Sequence, residues 1–305
     1  MNIDIQKIKE NPEKTADKLS IQDLEKLITL ATEKYYSDNN PLISDYVYDV
    51  LVDTLEKKNK TSKVLSNIGF KSSEDKIKLP YYMGSMDKIK TKDAVLTWIN
   101  KFKSSEKYVI SDKLDGISAL YINKDGENAR LFTRGNGEYG KCITNLIKYL
   151  NLPKKTDVVL RGELIISKSN FDKNRGNYIS SRSMVNGFVS KKQKETNASI
   201  LDFVVFEVIQ PQLTPIEQFK FLEKHNFRCP NYSVHEYKDI IQWNSDKNNF
   251  LSNTLNLFKT KGKYDIDGII ITQNKIYKRI IGNPKHSIAF KLNNYGKITK
   301  IKDIE

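Results

Sequence analysis

The chain has 305 residues, 38% hydrophobic and 10% aromatic, which is enough apolar material for one large or two unequal domains and too much for general disorder. No apolar run approaches the ~20 residues a bilayer crossing needs, and Met1 to Glu10 has no signal-peptide core; a soluble intracellular protein is expected, with no membrane partner, in the cytoplasm of a bacterium or of a virus's host. The net charge of +14 fits a polyanionic partner, although only seven of the 51 cationic side chains are arginine, and two cysteines, Cys142 and Cys229, exclude both a disulfide framework and a zinc quartet.

Ile21, Leu24, Leu27, Ile28, Ala31 and Tyr35 recur at helical spacing behind Ser20 and Asp23, which resemble a capping box. Ser37 to Pro41 reads as a loop, and Ser44 is a candidate N-cap for a second helix ending near Lys57. Asp45, Tyr48 and Asp49 share one face of that helix, and Val47, Leu51 and Leu55 share another. The Lys/Ser/Asn-rich stretch Lys57 to Lys78 is the expected domain boundary.

Strand signals follow. Tyr108 to Ile110, Ile117 to Ile122 and Ala129 to Thr133 are apolar or alternating runs, with Lys124-Asp125-Gly126 as a hairpin turn. Further strands are expected at Val158 to Leu160, Leu164 to Ile166, Phe203 to Ile209, Gly268 to Thr272 and Ser287 to Lys291, with helices at Pro215 to Lys224 and Phe250 to Thr260. Lys191 to Asn197 reads as a solvated loop. The expected fold class is α+β, with a largely antiparallel sheet.

Chemistry concentrates in short blocks. Lys113-Leu114-Asp115-Gly116 sets a lysine at a strand end before an Asp-Gly turn that would aim it. Lysine becomes a nucleophile only as the neutral amine, so such a residue needs burial or neighbouring cations. If Lys113 attacks phosphorus, the remaining work is positioning and charge stabilisation: cations beside the phosphate, and carboxylates for a divalent metal or ribose hydroxyls. Arg134 and Lys291 are the candidate cations; Glu163 and Asp267 are the candidate carboxylates. The glycine-rich run Thr133 to Gly140 would let backbone approach a ligand.

The ordered blocks Lys-Leu-Asp-Gly, Thr-Arg-Gly-Asn-Gly, Arg-Gly-Glu, Asp-Phe-Val-Val-Phe, Tyr-Asp-Ile-Asp-Gly-Ile-Ile-Ile and His-Ser-Ile-Ala-Phe-Lys together resemble the adenylation domain of NAD-dependent DNA ligases. The run Tyr35, Tyr36, Pro41, Asp45, Tyr48 and Asp49 is similar to the small helical domain that in this family recognises the nicotinamide mononucleotide half of NAD. The resemblance implies a helical domain over residues 1–70, a nucleotidyltransferase domain of the ATP-grasp-like ligase type over 71–297, and at 298–305 the start of a linker to an oligonucleotide-binding barrel missing from the chain. It implies that Lys113 becomes adenylylated, with Asp115 as its catalytic companion. Ser85, Met86, Ser111 and Phe206 would meet the adenosine, Arg134 and Glu163 the nucleotide, and Lys291 the phosphate; Asp267 would hold Mg2+. The implied partners are nicked double-stranded DNA and a second ligase chain carrying the barrel and DNA-clamping domains.

This sequence also departs from the pattern. Thr272 stands where the family has a phosphate-binding lysine, Ser111 where it has a glutamate, and Asn136 where it has an aspartate. Lys275 is a candidate replacement cation. An ATP-using DNA or RNA ligase and a non-catalytic nucleotide- or DNA-binding module are the alternatives.

Overall fold

The computed structural model describes residues 5–37, 42–66, 76–101, 107–124, 129–155, 157–190, 195–240 and 250–291; at 33, 35–37, 45, 46, 49, 66 and 195–197 only the backbone is described. Internal packing divides the chain into two units, Met1–Met83 with Gly116–Pro211 and Gly84–Asp115 with Gln212–Glu305. The expected linker at 298–305 and residues 67–75 of the expected boundary stretch lie outside the described residues.

The first unit opens with five helices: α1 (Ile5–Glu10), α2 (Pro12–Lys18), α3 (Ile21–Ser37), α4 (Asp45–Lys58) and α5 (Lys63–Ser66). Their apolar stripes form one core, in which Leu24, Leu27, Ile28 and Ala31 of α3 join Val47, Leu51 and Leu55 of α4, none more than 4% exposed. Each fully buried leucine contributes about 1.5–3 kcal/mol. The caps form where the sequence places them. Asp23 N donates to Ser20 Oγ at 3.1 Å, and Val47 N donates to Ser44 Oγ at 3.3 Å.

This unit also holds a four-stranded antiparallel sheet in the order β5–β4–β7–β8, made of β4 (Ile117–Asn123), β5 (Arg130–Thr133), β7 (Val158–Ile166) and β8 (Leu201–Gln210). The Lys124 to Gly126 turn extends outside the described residues, but the strands flanking it pair antiparallel as a hairpin requires. The sequence suggests two strands broken at Arg161-Gly162-Glu163. The structure instead carries β7 through all nine residues, every one buried. Charge reads as a break in a linear pattern, whereas Arg161 and Glu163 occupy alternate positions and so share one face of a continuous strand. Residues 191–194 lie outside the described set, and Glu195–Ile200 form a 3-10 helix where a solvated loop is expected. A short pair, β1 (Lys76–Lys78) with β6 (Tyr139–Lys141), completes the unit's strands among the described residues.

In the second unit the strands β2 (Asp87–Ile89), β3 (Lys107–Leu114), β9 (Tyr232–Glu236), β10 (Ile266–Gln273) and β11 (Ser287–Phe290) form a sheet in the order β2–β11–β10–β3–β9. Every pairing is antiparallel except β11 with β2. The helices α6 (Lys92–Lys101), α9 (Pro215–Lys224) and α10 (Phe250–Lys261) belong to this unit, the last two as the sequence predicts; α7 (Lys168–Asn174) and α8 (Ser181–Val189) belong to the first. Tyr108 of β3 is fully buried and meets Trp98 of α6 edge-on at 6.2 Å. Both cysteines are free thiols, and burial followed by the nearby Glu223 charge pushes the Cys229 thiol up to about 11. Among the described residues no helix is long and apolar enough to cross a membrane.

One packing constraint is sharp at Gly162, where an added Cβ would lie 2.6 Å from Val204 O and 2.8 Å from the Phe203 ring. Gly162→Ala is expected to destabilise the protein by about 1–3 kcal/mol through forced separation of β7 and β8. A urea midpoint equal to that of the unsubstituted protein would contradict this contact.

Candidate active site

The second unit brings three of the expected residues together. Lys113 Nζ donates to Asp267 Oδ1 at 2.6 Å, and Lys291 Nζ reaches Asp267 Oδ2 at 2.7 Å. Two ammonium groups therefore share one carboxylate, leaving one net positive charge. All three side chains keep partial solvent access, at 25% for Lys113, 18% for Lys291 and 29% for Asp267. The group is sheltered but reachable by a ligand.

Strand register creates the group. Lys113 of β3 lies opposite Gly268 of β10, and the register shifts between Ile266 and Gly268, which makes Asp267 the extra residue of a bulge. A bulge re-aims a side chain locally, and here it turns Asp267 to both lysines. Gly268 is needed for close approach, because a Cβ there would meet Phe290 O at 2.6 Å and Lys291 Cγ at 3.1 Å. Just past Lys113, Asp115 N donates to Asp265 O at 3.0 Å, which ties down the start of the turn.

Burial alone would raise the Asp267 carboxyl. The ammonium groups of Lys113 and Lys291 outweigh it and hold the carboxyl below the usual carboxylate range. Because each Asp267 oxygen already accepts from an ammonium group, the carboxylate in this arrangement does not fit a divalent metal. Among the described residues no group of three or more His, Cys, Asp or Glu offers another metal site.

The remaining second-unit candidates surround this group along the chain. Ser111 is buried on β3 two residues before Lys113, on the same strand face, while Ser85 is exposed and Met86 half-buried just before β2. Thr272, in the place of an expected lysine, pairs through Oγ1 with Ser287 Oγ at 2.7 Å, so a hydroxyl pair occupies that part of the sheet. Lys275 is exposed beyond the end of β10.

The other candidates lie in the first unit. Glu163 is 8% exposed on β7, Phe206 is half-buried on β8, and Arg134 follows β5 with its N donating to Ser118 O at 2.9 Å. The glycine-rich run forms a tight turn with positive φ at Gly135 and Gly137. Asn136 organises it, because its Oδ1 accepts from Glu138 N at 3.1 Å and Tyr139 N at 2.8 Å. Tyr48 on α4 is half-buried, with its hydroxyl 2.9 Å from Thr32 Oγ1. The side chains of Tyr35 and Tyr36 on α3, and of Asp45 and Asp49 on α4, lie outside the described residues, as does Pro41.

At the sequence level Arg161 belongs to the Arg-Gly-Glu block without a role of its own, and Glu207 is not singled out. Arg161 is buried, with Nη1 3.6 Å from Glu207 Oε2 and its guanidinium 5.5 Å over the Phe206 ring. The available signal was period two, since Arg161 shares a face with Glu163.

The fold and this centre define an α+β protein with a cationic lysine group suited to a phosphorylated ligand. The chain belongs to the NAD-dependent DNA ligase adenylation domain family, which matches residues 69–294. It is 38% identical over 284 residues to a DNA ligase of Acanthamoeba polyphaga mimivirus, covering 90% of this chain and 43% of that protein. It is 34% identical over 280 residues to a putative DNA ligase of Invertebrate iridescent virus 6, covering 88% and 43%, and 26% identical over 314 residues to a DNA ligase of Borrelia garinii, covering 93% and 47%. The chain thus spans less than half the length of these relatives. Among solved structures, an archaeal ATP-dependent RNA ligase aligns with a TM-score of 0.45 at 13% identity, over 69% of this chain and 48% of that one.

The shared carboxylate makes a pH-dependent prediction. Asp267 has a folded-state pKa below its unfolded one, so its stabilisation is complete above the ordinary carboxylate range and is lost as pH falls through the depressed value. Asp267→Asn should cost about 1–3 kcal/mol at pH 7, and the gap in urea midpoint from the unsubstituted protein should close only in strong acid. A gap independent of pH would refute the shared-carboxylate account.

Proposed function

We propose that this chain is the adenylating part of an NAD-dependent DNA ligase. Lys113 Nζ, as the neutral amine, attacks the α-phosphorus of NAD's adenylate. A P–N bond forms, the P–O bond to the nicotinamide mononucleotide phosphate breaks, and that phosphate leaves with the bonding electrons; the proton given up by Nζ passes to solvent. The observation that carries the reading is the pairing of Lys113 and Lys291 on Asp267, in a chain whose family is defined by adenylation.

Each member of the group has a definite part in that step. Asp267 accepts the hydrogen bond that orients Nζ; Lys113 gives up its ammonium proton to solvent before attack, and the nucleotide's phosphate then competes with Asp267 for the Lys291 ammonium group. Lys291 gains its strongest interaction where charge accumulates on the phosphate oxygens during attack, which is where binding lowers a barrier.

The family resemblance supports the other roles. Asp115 holds the turn behind the nucleophile. Ser85, Met86, Ser111 and Phe206 contact the adenosine, while Arg134 and Glu163 contact the nucleotide. Tyr35, Tyr36, Asp45, Tyr48 and Asp49 grip the nicotinamide half, for which aromatic faces and carboxylates suit a cationic ring. The AMP then passes to a 5′-phosphate at a nick in duplex DNA, and the 3′-hydroxyl displaces it. Nothing in the comparisons points to a separate partner chain.

Incubation with NAD labelled in its adenylate should give labelled protein, with no label on Lys113→Ala. Lys291→Ala should label about tenfold to a hundredfold more slowly, the effect of losing one charge-assisted hydrogen bond of about 1.5–3 kcal/mol in the transition state. Equal labelling of Lys113→Ala, or labelling from ATP and not from NAD, would overturn the reading.

A further inference from the structure

A second bulge lies in the first unit, on the strand that carries Phe206. Arg161 of β7 pairs with Glu207 of β8 while the next residue, Gly162, pairs with Val205, so Phe206 is the extra residue. In a regular strand Phe206 and Glu207 would point to opposite faces. Here both are half-buried between the buried Val205 and Val208, and both meet the same side chain. The Arg161 guanidinium lies 5.5 Å over the Phe206 ring, and its Nη1 is 3.6 Å from Glu207 Oε2. The bulge thus sets an aromatic ring and a carboxylate side by side on one face.

We infer that Glu207 is a base-reading residue, whose carboxylate accepts a hydrogen bond from the exocyclic amino group of an adenine stacked at Phe206. The inference rests on the proposed nucleotide site and deepens it. Glu207 retains 29% side-chain exposure, which a base can reach, and the Arg161 guanidinium lies behind it with Nη1 3.6 Å from Oε2. Glu163 lies two residues from Arg161 on β7, about 7 Å along the strand, the order of distance from a nucleoside's ribose hydroxyls to the amino edge of its base. A carboxylate only accepts, so it rewards an amino group and repels a carbonyl oxygen at the same place. Adenine should therefore be preferred over hypoxanthine, which differs from it at that edge.

The test is equilibrium binding of AMP and of IMP by calorimetry to the full chain and to Glu207→Gln and Glu207→Ala, with unfolding midpoints recorded for each. The unsubstituted protein is expected to bind AMP at least tenfold more tightly than IMP. Glu207→Gln, whose amide can donate to a carbonyl oxygen, should bring the two within about threefold while keeping the fold, and Glu207→Ala should weaken AMP binding and strengthen IMP binding. An AMP-to-IMP ratio that persists in Glu207→Gln would leave Glu207 as a structural partner of Arg161 only and overturns the inference; so would a protein that binds both nucleotides equally or neither. Labelling of Lys113 from NAD is scored separately. If labelling fails while the AMP preference depends on Glu207, adenylation falls and base reading stands; if labelling succeeds while the ratio ignores Glu207, the reverse holds.

Discussion

Two lysine ammonium groups are held at one carboxylate, and the chemistry proposed for this protein depends on that arrangement. Without Asp267, Lys113 and Lys291 would repel each other and turn toward water. With it, they stand 2.6 and 2.7 Å from one anion and together carry one net positive charge. Such a group is stable by itself yet has a standing affinity for a second anion. Partial exposure matters as much as proximity, because a fully buried trio could not exchange its carboxylate for a substrate phosphate.

Both side-chain clusters are built at β-bulges. At Asp267 the extra residue turns a carboxylate toward Lys113 on β3 and Lys291 just past the end of β11; at Phe206 it brings a ring and the next carboxylate onto one face. Regular strands would have separated these groups across the sheet. The glycines nearby have a matching role, since Gly268 and Gly162 occupy positions where any side chain would collide with backbone or an aromatic ring. The sheets supply rigidity and the bulges supply aim.

Departures from the family pattern are absorbed locally. Thr272 makes a hydroxyl pair with Ser287 in place of an expected cation, which leaves Lys113 and Lys291 as the cations gathered at Asp267. Asn136 serves its turn through two accepted backbone N–H groups, which an amide oxygen does as well as a carboxylate. The first change alters how much charge can face a phosphate, whereas the second leaves the turn's shape intact.

Much was legible in the residues alone. The 3.6-residue period and the serine caps gave α3 and α4, alternation gave most strands, and Pro215 marked the start of α9. The ordered Lys, Arg, Glu, Asp and Lys blocks identified the family through their resemblance to its adenylation domain. Invisible in the same residues were the unbroken course of β7, the double occupation of Asp267 and the common face of Arg161, Phe206 and Glu207. Local propensity acts over a few residues, and sequence order can therefore reveal it. Register and bulge position are settled by hydrogen bonds between strands remote along the chain, such as those that bring Lys113 to Asp267 across 154 positions, and only the folded sheet determines which side chains then share a face.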